Sequence, residues 1–128
     1  MKVKGLVAAV VVALLMASAW PAHAFLQPLV VGWERYFKLE WQSEDRSGHP
    51  VVYGKIFNNG GFSAKRVRLL TEGLDPHGNV QEQKLTWLGF EVTPGTTAPF
   101  EVSLNQPAPT YRVAVFAYDW IQRGKGVR

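Results

Sequence analysis

The chain has 128 residues, of which 14 are basic and 10 are acidic, and it contains no cysteine. The lack of cysteine excludes disulfides, covalent haem attachment, thiolate metal sites and a cysteine nucleophile. Residues 1–24 and 123–128 hold five of the basic residues, so the rest of the chain is close to neutral and lacks the basic face that a nucleic-acid-binding protein needs.

The first element in chain order is a secretory signal peptide over residues 1–24. Lys2 and Lys4 precede an uncharged apolar run at 6–17, and Ala22-His23-Ala24 supplies the small residues of a cleavage site. We expect Sec-type export with cleavage after Ala24, which places the protein in a bacterial periplasm or outside the cell with no membrane span. Retention as an uncleaved anchor is the alternative, but the apolar run is shorter than the ~20 residues that cross a bilayer.

Six strands and no helix are predicted after the signal peptide. The first strand alternates apolar and polar residues, with Phe37, Leu39 and Trp41 on one face, as in a half-buried strand. The fourth strand is polar in its first half, which is typical of an edge strand, and the last is apolar on both faces, which predicts a central position. In chain order the predicted strands are residues 34–42, 51–58, 65–72, 80–88, 99–104 and 111–121.

The segments between the predicted strands are rich in turn residues. Residues 43–50 form a polar loop, and Asn58-Asn59-Gly60-Gly61 ends a strand with residues that tolerate positive φ. Asp75-Pro76-His77-Gly78 has the residue preferences of a type I turn that closes a hairpin, and residues 93–96 contain a Pro-Gly turn. Within the second strand, Gly54 indicates a bulge or the close approach of a neighbour.

These elements predict an all-β fold, namely an antiparallel immunoglobulin-like β-sandwich of about six or seven strands. Residues 25–122 form its single domain, which is long enough to bury one core without disulfides or metals. Residues 123–128 are expected to be a flexible basic tail, because they hold three basic residues, two glycines and one apolar residue.

Gly54-Lys55-Ile56-Phe57-Asn58, the segment 74–80 and the Pro94-Gly95 pair ahead of Phe100 occur in the order and at the spacing found in FxLYD-type domains. Over most of residues 34–121 the chain resembles these small exported immunoglobulin-like domains of bacteria. Of the motif that names them, the chain keeps only the aspartate. The resemblance implies an extracytoplasmic β-sandwich with no known catalytic site, and it carries over no functional residue because the shared positions are turns and core.

Few residues have the chemistry of a catalytic or metal site. Ser43, Asp45 and His49 are the residue types of a hydrolase triad, but they lie within one short predicted loop, where a rigid triad geometry is hard to hold. His49, His77 and Asp75 are the residue types of a metal site, yet both histidines lie where turns commonly place polar residues. We therefore predict no catalytic residue, no metal ligand and no cofactor.

Aromatic residues are more numerous than one small core can hold. Alternation places Phe37, Trp41 and Phe100 inside, together with one face of residues 111–120. We predict that the partly exposed aromatics contact a partner, with cover for the open sheet edges as their alternative role. These residues are Trp33, Tyr36, Tyr53 and Phe90.

The sequence as a whole favours an exported, non-catalytic interaction or accessory domain, whose partner is another envelope protein or a glycan. A glycan-binding domain that uses exposed aromatics is the first alternative, and a small hydrolase built on Ser43, Asp45 and His49 is the second. Aromatics aligned on one exposed strand face would favour glycan binding. A buried contact between the aspartate and the histidine, beside the serine, would favour the hydrolase.

Overall fold

The computed structural model describes residues 25–122, and the predicted signal peptide and basic tail lie outside these residues. The described part holds a 3-10 turn at Trp33–Arg35 and six strands, so each of the six predicted strands is confirmed. The strands are β1 (Phe37–Arg46), β2 (His49–Asn58), β3 (Ser63–Leu74), β4 (Val80–Trp87), β5 (Thr97–Ser103) and β6 (Thr110–Ile121).

The strands form two antiparallel sheets. Sheet 1 has the order β1-β2-β5, and sheet 2 has the order β4-β3-β6. This order matches strands A, B and E on one sheet and strands C′, C and F on the other in an immunoglobulin-like sandwich. The predicted fold class is confirmed.

The edges of sheet 2 differ in part from the prediction. β4 is an edge strand, as its polar first half predicts, but the prediction of a central β6 is wrong, because β3 is central and β6 is the opposite edge. Phe116 is an extra residue of β6 between the partners of Arg68 and Leu69. This bulge shifts the alternation, so that Val115 before it and Tyr118 after it both face the core. The apolar residues on both apparent faces of β6 therefore reflect a bulge and not a central position.

The predicted polar loop at 43–50 is wrong over most of its length. Residues 43–46 continue β1, and β2 begins at His49. Only Ser47 and Gly48 join the two strands, and their φ angles of 55° and 86° are both positive, which suits the twist of a two-residue hairpin turn. Residues 43–49 are all exposed, so no apolar alternation marks them as strands.

One apolar core fills the space between the sheets. Phe37 and Phe100 are buried in it, as predicted. Trp41 is 36% exposed, so the prediction that it lies inside is wrong. β1 is an edge strand, and the Trp41 indole spans the open flank toward β6, where Nε1 donates to the backbone oxygen of Tyr111 over 3.1 Å. The other main core residues are Val52, Ile56, Val67, Leu69, Val102, Leu104, Val113 and Val115.

β1 approaches β2 closely at Gly54. A Cβ atom at this position would lie 1.8 Å from the carbonyl oxygen of Glu40. The predicted close approach of a neighbouring strand is confirmed. Only glycine fits here without a shift of the β1 backbone.

The predicted hairpin turn between β3 and β4 is confirmed. The N–H of Gly78 donates to the carbonyl oxygen of Asp75 over 2.9 Å, and Gly78 has a φ of 86°. The Asp75 carboxylate accepts the backbone N–H groups of His77 and Asn79, both at 2.8 Å. The Asp75 side chain therefore fixes the turn by local hydrogen bonds.

Residues 25–30 cross the outer face of sheet 2. The backbone of Leu26 exchanges two hydrogen bonds of 2.9 Å with the side-chain amide of Gln83 on β4. The N–H of Leu29 donates to the carbonyl oxygen of Phe116 on β6 over 2.8 Å. These bonds tie the segment to both edge strands of sheet 2.

Candidate functional site

Five aromatic rings meet at one end of the sandwich, where β1 and β3 begin and β2 and β6 end. The rings come from three separate segments, so the fold alone brings them together. We call this cluster the aromatic end. Its residues are Tyr36, Phe37, Phe62, Tyr118 and Trp120.

Trp120 is the centre of the aromatic end. Its ring stacks on Phe37, with ring planes 9° apart and centroids 5.6 Å apart. Tyr36 and Tyr118 meet Trp120 edge to face, with centroid distances of 5.4 Å and 5.0 Å, and Phe62 lies at 6.5 Å. Such ring pairs add about 0.5–1.5 kcal/mol each beyond the area that they bury, so the contacts with Trp120 stabilise the cluster.

Local backbone features place the rings at this end. The bulge in β6 turns Tyr118 and Trp120 to the core side of sheet 2. Tyr36 follows the 3-10 turn, where its N–H donates to the carbonyl oxygen of Trp33 over 3.0 Å. The carbonyl oxygen of Tyr36 accepts the N–H of Asn59 over 2.6 Å, which joins the segment before β1 to the loop after β2.

The loop that carries Phe62 is held by the buried side chain of Asn58. The Asn58 amide nitrogen donates to the carbonyl oxygens of Phe62 and Val92, at 2.9 Å and 2.8 Å, and its side-chain oxygen accepts the N–H of Gly60 at 2.7 Å. Its backbone groups bond to residues 95–96. Every polar group of Asn58 thus has a hydrogen-bond partner, as is usual for a buried amide.

None of residues 58–61 adopts the positive φ that their residue types would tolerate. Gly60 is required for a different reason, because a side chain there would collide with Trp120. A Cβ atom on Gly60 would lie 2.8 Å from Cη2 of Trp120. The Trp120 indole therefore packs directly on the backbone of this loop.

The outer rings of the aromatic end face solvent. Phe62 is 45% exposed and Tyr36 is 37% exposed, whereas Phe37 and Tyr118 are buried. Burial, with a smaller contribution from the neighbouring Tyr36, raises the pKa of the Tyr118 phenol, so this group stays neutral at physiological pH. The site is an apolar surface with phenolic hydroxyls, which suits contact with an apolar or amphipathic partner.

The structure places the four predicted partner-contact residues in three separate segments. Trp33 is half-buried against the core, and Tyr36 belongs to the aromatic end. Tyr53 lies on β2 at the outer face of sheet 1. Phe90 is 47% exposed in the connection between β4 and β5.

Sequence reasoning missed the contribution of Phe62 and placed Trp120 only on a strand face. One local signal was present, because Phe62 directly follows Gly60-Gly61 in a short connection between strands. A large apolar ring in such a connection has few neighbours of its own. Its packing partner, Trp120, is 58 residues away in the chain, so no local pattern identifies the pair.

An open groove of about 610 Å³ crosses the outer face of sheet 1. Tyr53 is a half-buried aromatic residue of this groove, and its phenol donates to Oε1 of Gln42 over 3.1 Å. The guanidinium of Arg46 lies 5.9 Å from the centre of the Tyr53 ring. The lining residues are Glu40, Trp41, Gln42, Tyr53, Gly54, Lys55, Pro99, Phe100 and Glu101.

The structure does not assemble the residues of the hydrolase alternative. Ser43 and Asp45 on β1 lie opposite core-facing residues of β2. His49 lies opposite Arg46, on the other face of the same hairpin. A depression of about 640 Å³ includes Ser43 and Asp45 but not His49. Within residues 25–122 no hydrogen bond joins any two of these three side chains.

The possible metal ligands are also separated. His49 begins β2, whereas Asp75 and His77 lie in the β3–β4 turn. Among residues 25–122, no three side chains of His, Asp or Glu lie close enough together to hold a metal ion. Over the same residues, no helix has the length and apolar character that a bilayer crossing requires.

Comparison with known proteins gives no family assignment. No family model and no curated protein matches the chain. Among solved structures, the chain is similar to the X-ray structure of Northeast Structural Genomics Consortium target SoR45, with 11% sequence identity and a TM-score of 0.45 over 73% of this chain and 92% of that chain. The fold given above rests on the chain's own strand order.

Proposed function

We propose that the chain is an exported, non-catalytic β-sandwich domain that binds another component of the bacterial cell envelope through its aromatic end. The observation that carries this proposal is the exposure of Tyr36 and Phe62 on a five-ring cluster. Exposed apolar surface that is contiguous marks interaction sites, and aromatic residues are enriched at such sites.

The ring contacts and hydrogen bonds that hold the aromatic end support a binding role. Asn58 holds the loop that carries Phe62, and the stacked pair of Trp120 and Phe37 supports the rings from behind. A surface that is already ordered loses little conformational entropy when a partner binds. The arrangement suits recognition without a change of shape.

Export is supported by the pattern of residues 1–24, whose basic start, apolar run and small residues are those of a secretory signal. The resemblance of residues 34–121 to FxLYD-type domains supports the same compartment. Both features favour a partner in the bacterial envelope or outside the cell.

Glycan binding at the groove on sheet 1 is the second candidate function. Tyr53 lies there among polar side chains that include Gln42, Glu40 and Glu101. An aromatic ring beside amide and carboxylate groups suits the binding of a sugar. The aromatic end is the stronger candidate because it combines more exposed ring surface with a more rigid support.

Site-specific photocrosslinking in intact cells tests the proposal. A photoreactive phenylalanine is placed at position 62 in the aromatic end, at position 101 in the groove, or at position 87 on the outer face of sheet 2. Trp87 is a suitable control because it is itself 58% exposed. The expected result is a discrete crosslinked product from position 62 only.

A product from position 101 alone would move the binding site to the groove and support the glycan-binding alternative. Equal products from positions 62 and 87 would show that exposure alone produces crosslinks, which would contradict a specific aromatic end. Each labelled protein must first give the same thermal unfolding curve as the parent, so that a difference in crosslinking reports contact and not folding.

A further inference from the structure

We propose that the partner of the aromatic end is the surface of a bilayer that contains anionic lipids. This inference rests on the proposed function, because it names the partner of the same site. It is carried by three independent features: the distribution of charge along the sandwich, the charge of the segment that follows β6, and the chemistry of the exposed rings.

The charges of the described residues are divided unequally between the two ends. We divide the sandwich into two halves at the paired residues Trp41, Gly54 and Phe100 in sheet 1 and at Arg68 and Ala117 in sheet 2. Each half includes the connections between strands at its own end. The half with the aromatic end, which includes the dividing residues, has six basic and four acidic residues. The other half has three basic and six acidic residues. The aromatic end is therefore the positive end of a nearly neutral domain.

The chain continues from this positive end into a basic segment. Trp120 and Ile121 pair with the first residues of β3, directly beside Phe62. Residues 123–128 follow within the same chain and add three basic residues and no acidic residue. These six residues follow Gln122 directly, so their charges enter the chain next to the aromatic end.

The exposed rings have the chemistry of a membrane interface. Tyrosine and tryptophan prefer the headgroup region because one part of each ring system is apolar and another part forms hydrogen bonds. Tyr36 and the half-buried Trp120 provide such rings, and Phe62 adds an apolar ring that can enter the acyl boundary. A protein partner would also bury these rings, but it would not by itself account for the coincidence of rings with the basic end.

The charge distribution also determines the direction of approach. A domain with a positive and a negative end turns its positive end toward an anionic surface, and this orientation weakens as salt screens the charges. For this chain the positive end is the one with exposed rings. Electrostatic orientation and ring insertion therefore act on the same face.

Vesicle co-sedimentation tests the inference. The protein is expressed from the full sequence, purified as the cell processes it, and checked by intact mass for loss of residues 1–24. The probes are vesicles of phosphatidylcholine alone and of phosphatidylcholine with 30% phosphatidylglycerol. The variants are a chain that ends at Gln122, the substitution Phe62→Ser in the aromatic end, and Trp87→Ser as the control for an exposed ring outside the five-ring cluster, on the outer face of sheet 2.

We expect binding to the anionic vesicles and much weaker binding to the neutral ones. Removal of the three basic residues should weaken binding up to about a hundredfold at low salt, because each basic residue near an anionic surface contributes about fivefold. This difference should vanish at 0.5 M salt, where screening is nearly complete. Phe62→Ser should weaken binding about tenfold at either salt concentration, and Trp87→Ser should leave it unchanged.

Three results would overturn the inference. One is equal binding to neutral and anionic vesicles, and another is an equal loss of binding in Phe62→Ser and Trp87→Ser. The third is the absence of vesicle binding, with tail-dependent binding to soluble polyglutamate, which would identify an acidic polypeptide as the partner. If the protein does not bind vesicles but position 62 still crosslinks to an envelope protein in cells, the proposed function stands and only the membrane partner is rejected.

Discussion

The buried side-chain amide of Asn58 donates a hydrogen bond of 2.9 Å to the backbone carbonyl oxygen of Phe62, the most exposed ring of the aromatic end. A residue of the core thereby fixes the position of a residue of the contact surface. The same amide nitrogen donates to the carbonyl oxygen of Val92, which lies in the connection between β4 and β5. Folding and the geometry of the proposed site therefore depend on one side chain.

Asn58→Ala should lower the free energy of unfolding by about 2–4 kcal/mol. The substitution removes three side-chain hydrogen bonds and leaves the buried carbonyl oxygen of Val92 without this donor. Urea denaturation measures the change. Asn59→Ala is the matched control, because Asn59 is exposed, and it should change stability by less than about 0.5 kcal/mol. Similar losses in both variants would contradict the role of Asn58.

Gly54→Ala should destabilise the protein by about 2–4 kcal/mol. The new Cβ atom would lie 1.8 Å from the carbonyl oxygen of Glu40, so the β1 backbone must move. Gly61→Ala is the control, because nothing lies within 4 Å of a Cβ atom there. Thermal unfolding of both variants should show a large loss at position 54 and almost none at position 61. A neutral Gly54→Ala would mean that β1 and β2 are farther apart than described.

Arg112→Met should cost about 3 kcal/mol of stability. Arg112 pairs with the buried carboxylate of Glu72 at 2.6 Å, and Gln83 donates to the other oxygen at 2.7 Å. Without the guanidinium, the buried carboxylate of Glu72 keeps only the neutral amide of Gln83 as a partner. Arg46→Met breaks only exposed ion pairs, including the one with Glu101, and should therefore cost much less stability than Arg112→Met. Denaturant titration compares the two, and equal costs would show that the burial of Glu72 has no consequence.

Asp75 should make a pH-dependent contribution to stability. The backbone hydrogen bond from Asn79, followed by those from the Asn79 side chain and the His77 backbone, lowers the pKa of the Asp75 carboxyl. A lowered folded-state pKa stabilises the protein above the ordinary pKa of about 4, and this contribution is lost as the pH falls through the lowered value. The difference in Tm between the parent and Asp75→Ala should thus be constant above pH ~5 and shrink in acid. A difference that grows in acid would have the wrong sign.

The strands were predictable because their signals are local. Alternation in β5 and the Asp75–Gly78 turn need no knowledge of distant residues, since each pattern is complete within a short window. The second half of β1 was not predictable, because every residue of 43–46 is exposed and gives no alternation.

The faces of β6 and the aromatic end were unpredictable for a different reason. The bulge at Phe116 reverses the alternation, and it depends on how β6 pairs with β3. Asn58 reads as a turn residue, whereas its function in the fold is to bond groups that lie 4 and 34 residues away. Tyr36 was identified as partly exposed, but its neighbours Phe62 and Trp120 meet it only through tertiary packing.

Amide hydrogen exchange of the purified protein, with and without envelope membranes from the cell, tests the proposed contact at the aromatic end most directly. We expect slower exchange at residues 59–62 and at residue 36 when the membranes are present, with no change at residues 53–55, 100 and 101 on sheet 1. The comparison is internal, because both regions are measured in the same sample. Slowed exchange confined to the sheet 1 residues would place the contact at the groove and contradict a functional aromatic end.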